Sequence, residues 1–231
     1  MKVSLLLFAA LREAVGQRTL CLELDDGSTV NDLKRRLAID YPRVEAMLET
    51  VVCAIDDEYV RSEAYLREGV EVALIPPVSG GAIETTPGLF RLTHEVMDPQ
   101  QLVELVRRDE AGAIALFYGI VRNHSEGRDV ERLEYEAHES MAVRKMREVA
   151  EETRRRFPEI SEIGVWHRIG VLEIGEASLL VAVSSPHRAQ AFEACHWAVD
   201  RVKEVVPVFK KEHWAGGSTW VEGHAVKEPK S

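Results

Sequence analysis

The chain has 231 residues, 45% of them hydrophobic and 29% charged, with a formal net charge of −10. That balance fits a globular chain with one large domain or two small ones. Residues 1–81 set nine Lys and Arg against fourteen Asp and Glu, and the remainder twenty against twenty-five, so neither part has the basic surface that a general grip on nucleic acid requires.

Val3–Phe8 is an apolar run of strand length that leads towards Arg12-Glu13. The single Lys2 before it and the charges just after it argue for a buried strand entering a helix over a cleaved leader. No apolar run approaches the roughly 20 residues that a bilayer-spanning helix needs, so no membrane contact is expected. Thr19–Leu24 alternates Leu20, Leu22 and Leu24 as a second strand. Asp25-Asp26-Gly27 signals a turn, and Ser28 is expected to cap a helix carrying Val30, Leu33, Leu37 and Ala38 at helical spacing, with Pro42 at its end. Val51–Ile55 and Glu58–Val60 flank Asp56-Asp57 as a hairpin, and Val70–Ile75 is a last strand. The order ββαβββ predicts a small mixed sheet wrapped on one helix, as in the β-grasp fold.

Pro76-Pro77-Val78-Ser79-Gly80-Gly81-Ala82 then interrupts any regular structure. It places the domain boundary at Gly81, with residues 82–88 as linker and residues 89–231 as a second domain. There, Leu89–Val96 is a strand candidate, and Asp98 caps a helix with Pro99 at its first position, running to about Arg107. Gly112–Val121 is a strongly apolar strand that ends in Arg122-Asn123-His124. Leu133–Ala137 is a strand, Ser140–Phe157 a helix with a charged outer face, and Ile163–Ile169 and Ala177–Ser184 further strands. Ser185 is expected to cap a helix with Pro186 in its first turn, running to about Val205 before Pro207; Val208–Trp214 and Thr219–Val221 are extended. The class is α+β in both parts.

Several positions can carry chemistry. A diglycine tail after a β-grasp domain has no side chains, so it can enter a narrow tunnel and present its carboxylate; a plain linker is the other reading. His187 and Arg188 at a helix N-terminus oppose the helix dipole, which prefers acids there, and so point to a bound phosphate or carboxylate. Arg122 closes an apolar strand and suits bidentate phosphate contact, or a surface ion pair. Lys203 lies where a cation satisfies the helix dipole, and with Lys210 and Lys211 it also offers an amine near other cations, a setting that lowers its pKa for acid, base or nucleophilic work. The histidines have no metal-ligand spacing, so no metal is expected. Cys21, Cys53 and Cys195 form no CxxC pair, which fits a reducing, cytoplasmic setting, and Cys195 sits among apolar helix residues as packing. No Walker-type glycine loop is present, so ATP chemistry belongs to a partner.

LLLFAALREAVGQ and IPPVSGG resemble the small, sulfur-carrying subunit of molybdopterin synthase over residues 1–81. GAIALFYGIVRNH, VWHRIGVLEIGE, SSPHRAQAFEACHWAVDRVKEVVPVFKKE and TWVEG resemble the large, catalytic subunit over residues 88–224. The resemblance implies a thiocarboxylate on the terminal glycine of the diglycine, here Gly80-Gly81. It implies a cyclic pyranopterin monophosphate substrate that accepts sulfur twice to become the molybdopterin dithiolene, with no tightly bound cofactor. It places Arg122, His187 and Arg188 on substrate-binding positions and Lys203 on the principal catalytic lysine. Lys210 falls beside it as a second catalytic candidate, Lys211 as substrate-binding, and Phe117 and Val199 on the pocket lining. The implied partners are a ubiquitin-activating-like adenylyltransferase and sulfurtransferase that uses ATP, and a second copy of the catalytic domain.

Two features depart from the family. Gly81 is followed by Ala82, and an internal peptide bond cannot be adenylated, so a protease must cut after Gly81 or another protein must supply the sulfur; cleavage is the expectation. His224 stands where a stronger base is expected. His187 and Lys203, sixteen residues apart, lie about 24 Å apart on one straight helix. Either that helix is broken or the site is shared across a homodimer, and the shared site is the expectation. A non-catalytic carrier or scaffold that docks a partner is the alternative from another class. Sulfur transfer to thiamine precursors or tRNA is a second enzymatic alternative.

Overall fold

The computed structural model describes residues 1–76, 88–125 and 127–221. Gly80, Gly81 and His224 lie outside the described residues. The chain divides into two compact units, one within residues 1–76 and one within residues 88–221.

The first unit runs β1 (Lys2–Leu7), α1 (Ala9–Val15), β2 (Thr19–Glu23), α2 (Val30–Asp40), a 3-10 turn, α3 (Glu45–Leu48), β3 (Val52–Ile55), β4 (Glu58–Val60) and β5 (Glu71–Ile75). Its sheet has the order β2-β1-β5-β3-β4, with β1 and β5 parallel at the centre and the other pairs antiparallel. Val30, Leu33 and Leu37 fall on one face of α2 and are fully buried with Leu5, Leu7, Val72 and Leu74 of the central strands. This is the expected β-grasp arrangement. Asp56 and Asp57 take φ of 50° and 63° at the β3–β4 hairpin, the twist that a two-residue turn needs and that Asp tolerates. The cap of α2 differs from expectation. Thr29, not Ser28, is the N-cap, and it exchanges bonds with Asp32 in a capping box. Ser28 instead closes the preceding turn by donating to the Asp25 carbonyl at 2.7 Å.

The second unit runs β6 (Phe90–Thr93), α4 (Pro99–Val106), β7 (Ala113–Ile120), β8 (His124–Ser125), β9 (Arg128–Asp129), β10 (Arg132–Ala137), α5 (Glu139–Arg156), β11 (Glu162–Arg168), β12 (Gly170–Glu173), β13 (Ala177–Ser185), α6 (Arg188–Val205), β14 (Val208–Trp214) and β15 (Gly217–Val221). Asp98 caps α4 as expected, accepting from the Gln100 amide at 2.9 Å with Pro99 in the first turn. One sheet has the order β6-β11-β13-β7 and a second the order β12-β10-β14-β15. Every residue of β13 is buried because both faces of its sheet are covered. Leu179, Val181 and Val183 pack in the cluster that holds the apolar faces of α5 and α6, and Leu180 and Ala182 pack in the cluster with Leu102 and Val106 of α4. The short strand β12 was not anticipated, because Gly170 at φ 85° breaks the β11 run and redirects the chain into the second sheet.

Candidate functional site

Strand β13, helix α6 and strand β14 form the frame of the site. β13 pairs antiparallel with β7, from Ser185 opposite Ala113 to Ala177 opposite Ile120. α6 returns along both strands. Its Cys195 thiol contacts the Val181 carbonyl at 3.5 Å, and its Lys203 ammonium lies 5.3 Å from the centre of the Phe117 ring. The 18 residues of α6 are helical throughout, so it spans about 27 Å. The helix is not broken. His187 and Arg188 stand at its Ala113 end, and Lys203 stands at its Ile120 end. Arg122, exposed and two residues beyond β7, belongs to the Lys203 end.

At that end the Lys203 side chain projects from the last turn of α6, one turn beyond Val199, which is buried in the core. The ammonium over an aromatic face is a favourable cation–π contact. Gly119 makes it possible. A Cβ there would stand 2.8 Å from the Phe117 ring and 3.3 Å from the Leu179 carbonyl. Ser178 of β13 donates to the Gly119 carbonyl at 3.3 Å.

The second sheet brings Lys210 to the same end. β14 follows α6 directly after Val206-Pro207, and Lys210 is its third residue. Lys210 stands opposite Tyr135 of β10, so the two side chains share a sheet face with Leu133 and Glu212. That face meets Val121, at the end of β7, in a small apolar cluster with Leu133, Leu172 and Tyr135. Lys210 is paired with Glu212 at 3.1 Å, with only 25% and 13% of the two side chains exposed. Lys211 points to the opposite face, where its ammonium lies 5.2 Å from the centre of the Trp220 ring. Lys210 and Lys211 are therefore separated by the sheet itself.

Tyr135, Ser178, Glu212 and Gly119 were not singled out from the sequence. Glu212 had a signal: it lies two residues from Lys210 on a strand and must share its face. Tyr135 had none, because its neighbours come from other strands. Its ring packs edge-on against His167 at 5.2 Å. Burial pushes the Tyr135 hydroxyl above its ordinary pKa, the bond with Ser178 works against that rise, and the Glu212 carboxylate adds to it. Burial also pulls His167 down to about 4, outweighing its contact with the Arg168 carbonyl. The Cys195 thiol is pushed up to about 11 by burial, so it is held as a neutral packing group.

At the other end, the expected cap of α6 requires correction. β13 continues through Ser185, whose side chain is fully buried and donates to the Glu159 carbonyl at 3.2 Å. Ser185 and Pro186 therefore precede the helix, His187 is its N-cap and Arg188 its first residue. Both are exposed. Gly112 lets the chain pass here, since a Cβ would stand 2.5 Å from the Pro186 carbonyl. Among the described residues, no three His, Cys, Asp or Glu side chains gather in a way that could hold a metal.

Comparison with known proteins matches residues 92–205 to the MoaE protein family and residues 5–81 to the ThiS family. A molybdopterin synthase catalytic subunit of Aedes aegypti is 43% identical over 145 residues, covering 62% of this chain and 94% of that protein. The molybdopterin synthase catalytic subunit of Pyrococcus abyssi is 46% identical over 124 residues, covering 54% of this chain and 83% of that protein. Among solved structures, the molybdopterin synthase of Staphylococcus aureus superimposes with a TM-score of 0.57 at 38% identity, covering 61% of this chain and all of that one. The molybdopterin cofactor biosynthesis protein E of Burkholderia multivorans gives 0.51 at 29% identity, covering 63% of this chain and 96% of that one.

Proposed function

The chain belongs to the molybdopterin synthase catalytic-subunit family, with a ThiS-family region ahead of the catalytic part, and on that premise we propose how its residues divide the reaction. It is an enzyme of molybdenum cofactor biosynthesis. Its substrate is cyclic pyranopterin monophosphate, and each of two sulfurs comes from a thiocarboxylate on Gly81. The observation that carries this reading is the Lys203 ammonium 5.3 Å from the Phe117 ring in the last turn of α6, with Arg122 following β7 and Lys210 on β14, the strand that follows that turn. Opening a cyclic phosphate and accepting a thiocarboxylate's sulfur need stabilised negative charge and a proton donor. Lys203 supplies the proton transfer, with Lys210 beside it. Arg122 holds the phosphate by its planar fork.

His187 and Arg188 act on the same substrate class from the far end of an unbroken helix, so they serve the site of a second copy. The outer face of edge strand β7 supports such a pairing. Leu116, Tyr118 and Ile120 leave it 39%, 45% and 53% exposed, an apolar strip on an edge that a monomer would leave wet. Lys211, on the far face of the second sheet, is assigned to substrate binding only through the resemblance.

The ThiS-family region is the sulfur carrier. Its use requires a protease that cuts after Gly81, then an adenylyltransferase and sulfurtransferase that spends ATP to activate the new carboxylate. Intact mass of the protein from its own cells, with no tag after Gly81, tests this part. The expected product is a fragment ending at Gly81, heavier than the plain acid by the difference between sulfur and oxygen. Full-length chain alone, in cells actively making the cofactor, would remove the carrier half of the proposal.

A further inference from the structure

His187 and Arg188 stand at the first turn of α6, but their side chains are not held there by neighbours. Both are exposed, His187 makes no side-chain cap bond, and among the described residues neither side chain has a hydrogen bond or ion pair. Their direction is therefore set by the backbone of residues 185–188. A substrate gripped by two such groups is sensitive to that direction, because a hydrogen bond weakens steeply once its donor turns away.

Ser185 fixes this backbone from inside. It is the last residue of β13 and is fully buried. Its hydroxyl donates to the Glu159 carbonyl, in the turn between α5 and β11, at 3.2 Å. The same oxygen accepts from the backbone N–H of His187 at 3.4 Å. A hydroxyl has one proton to give and two lone pairs to receive with, so the two bonds are compatible. The N–H of His187 is one that a helix leaves without an internal partner. Ser185 thus ties the entry of α6 to the α5–β11 turn. The backbone of Gly112 lies against the Pro186 carbonyl, where a Cβ would stand at only 2.5 Å, and so confines the same segment. Ser184, equally buried, directs its hydroxyl to the Val106 carbonyl at 2.6 Å instead.

We propose that Ser185 is a positioning residue for substrate binding, whose buried hydroxyl aims His187 and Arg188 at the site they serve. It does not touch the substrate itself, since it is fully buried. The inference rests on the assignment of His187 and Arg188 to substrate binding at the site of a second copy. In Ser185→Ala the Glu159 carbonyl and the His187 N–H lose their shared partner, and the first turn of α6 is free to shift. Lys203, at the other end of the helix, keeps its place. The loss should therefore fall on binding and not on turnover.

The test uses the full chain with cyclic pyranopterin monophosphate and a separately supplied thiocarboxylated carrier. In Ser185→Ala the KM for the pterin should rise about tenfold with kcat within about twofold, the split expected when binding is weakened and chemistry is kept. Ser185→Cys, close in size but a poor donor and acceptor, should show the same split, and it serves if the alanine variant does not fold. Ser184→Ala loses an equally buried hydroxyl bond and should lower the melting temperature while leaving KM unchanged. Mixed dimers supply the readout that general loosening would not move. Refolded in equal amounts with Lys203→Ala, Ser185→Ala should form dimers in which one site takes Lys203 from one copy and an intact Ser185, His187 and Arg188 from the other. At pterin concentrations well below KM, that mixture should be about twofold or more as active as Ser185→Ala alone, although half of its chains lack Lys203. Wild-type KM in both Ser185 variants, an equal rise of KM in Ser184→Ala, or a mixture whose activity is merely diluted would overturn the proposal. The His187→Ala/Arg188→Ala chain mixed with Lys203→Ala, run in parallel, separates the two levels. If that pair regains nothing, the shared-site reading fails. If it regains activity and the Ser185 mixture does not, only the positioning role fails.

Discussion

The Lys203 ammonium sits 5.3 Å above the centre of the Phe117 ring, which joins the last turn of α6 to the edge strand β7. The contact holds a long, flexible cation at the rim of the site without neutralising it. A carboxylate partner would hold it equally well, but it would also oppose the approach of an anionic substrate.

Replacement of Lys203 should therefore separate chemistry from anchoring. Lys203→Ala is expected to lower kcat by about 10²-fold or more, the usual range for loss of a general acid or base. Phe117→Leu should leave the amine in place but less confined, with a several-fold rise in KM, in line with the roughly 0.5–1 kcal/mol of an exposed cation–π contact. Steady-state kinetics of the two variants, alongside their melting curves, check this. Near-normal turnover in Lys203→Ala would remove it from the chemistry.

Because α6 is unbroken, the two groups of cations on it cannot serve one substrate from one chain. A protein with His187→Ala and Arg188→Ala, and another with Lys203→Ala, should each be inactive. After unfolding and refolding together in equal amounts, random pairing gives half mixed dimers with one intact site each. About a quarter of wild-type activity should return under this isologous arrangement. Failure to recover despite subunit exchange proven by mass would show that the sites are not shared.

Gly119→Ala should disturb the same end of the helix by a steric route. The new Cβ would stand 2.8 Å from the Phe117 ring, and the Leu179 carbonyl at 3.3 Å blocks retreat on the other side. The ring is the part that can yield, so it tilts away from Lys203. Overpacking of this kind costs about 1–3 kcal/mol. The variant should melt earlier and bind substrate more weakly, and the double variant Gly119→Ala/Phe117→Leu should regain stability. If Gly119→Ala is as stable and active as the wild type, the ring has no fixed place.

The buried His167 sets a pH dependence of stability. Its folded pKa of about 4 lies below the roughly 6.5 of an exposed histidine. Between these values the unfolded chain binds a proton that the folded chain refuses. Stability of the second unit should therefore rise with pH through this window and level off above it, by on the order of 3 kcal/mol at most. All four tryptophans lie between residues 166 and 220, so their fluorescence reports this unit alone. Urea midpoints at the two ends of the window should differ, and His167→Phe should flatten the difference. An unchanged slope in that variant would assign the effect to other groups.

The local periodicities were legible in the sequence. The alternation in Thr19–Glu23, the helical spacing of Val30, Leu33 and Leu37, and the Asp98-Pro99 start of α4 are properties of neighbouring residues, and each appears as the expected element. Element ends were less legible. Thr29 rather than Ser28 caps α2, and β13 runs through Ser185 to displace the start of α6, because the winning hydrogen bonds go to Asp32 in one case and to Glu159 in the other. A chain read in one dimension does not show which of two adjacent hydroxyls finds the better partner.

The sequence by itself determined that α6 is long enough to separate His187 from Lys203, and that Lys210 and Lys211 must point to opposite faces of any strand containing both. Helix rise and strand pleat follow from backbone geometry alone. Only the tertiary structure decided which strands lie under α6, and so that Phe117 meets Lys203, that Gly119 clears space for the ring, and that the Tyr135 ring packs on His167 of another sheet. Those contacts join residues distant along the chain, and they are chosen by the packing of whole faces against one another, which no single segment specifies.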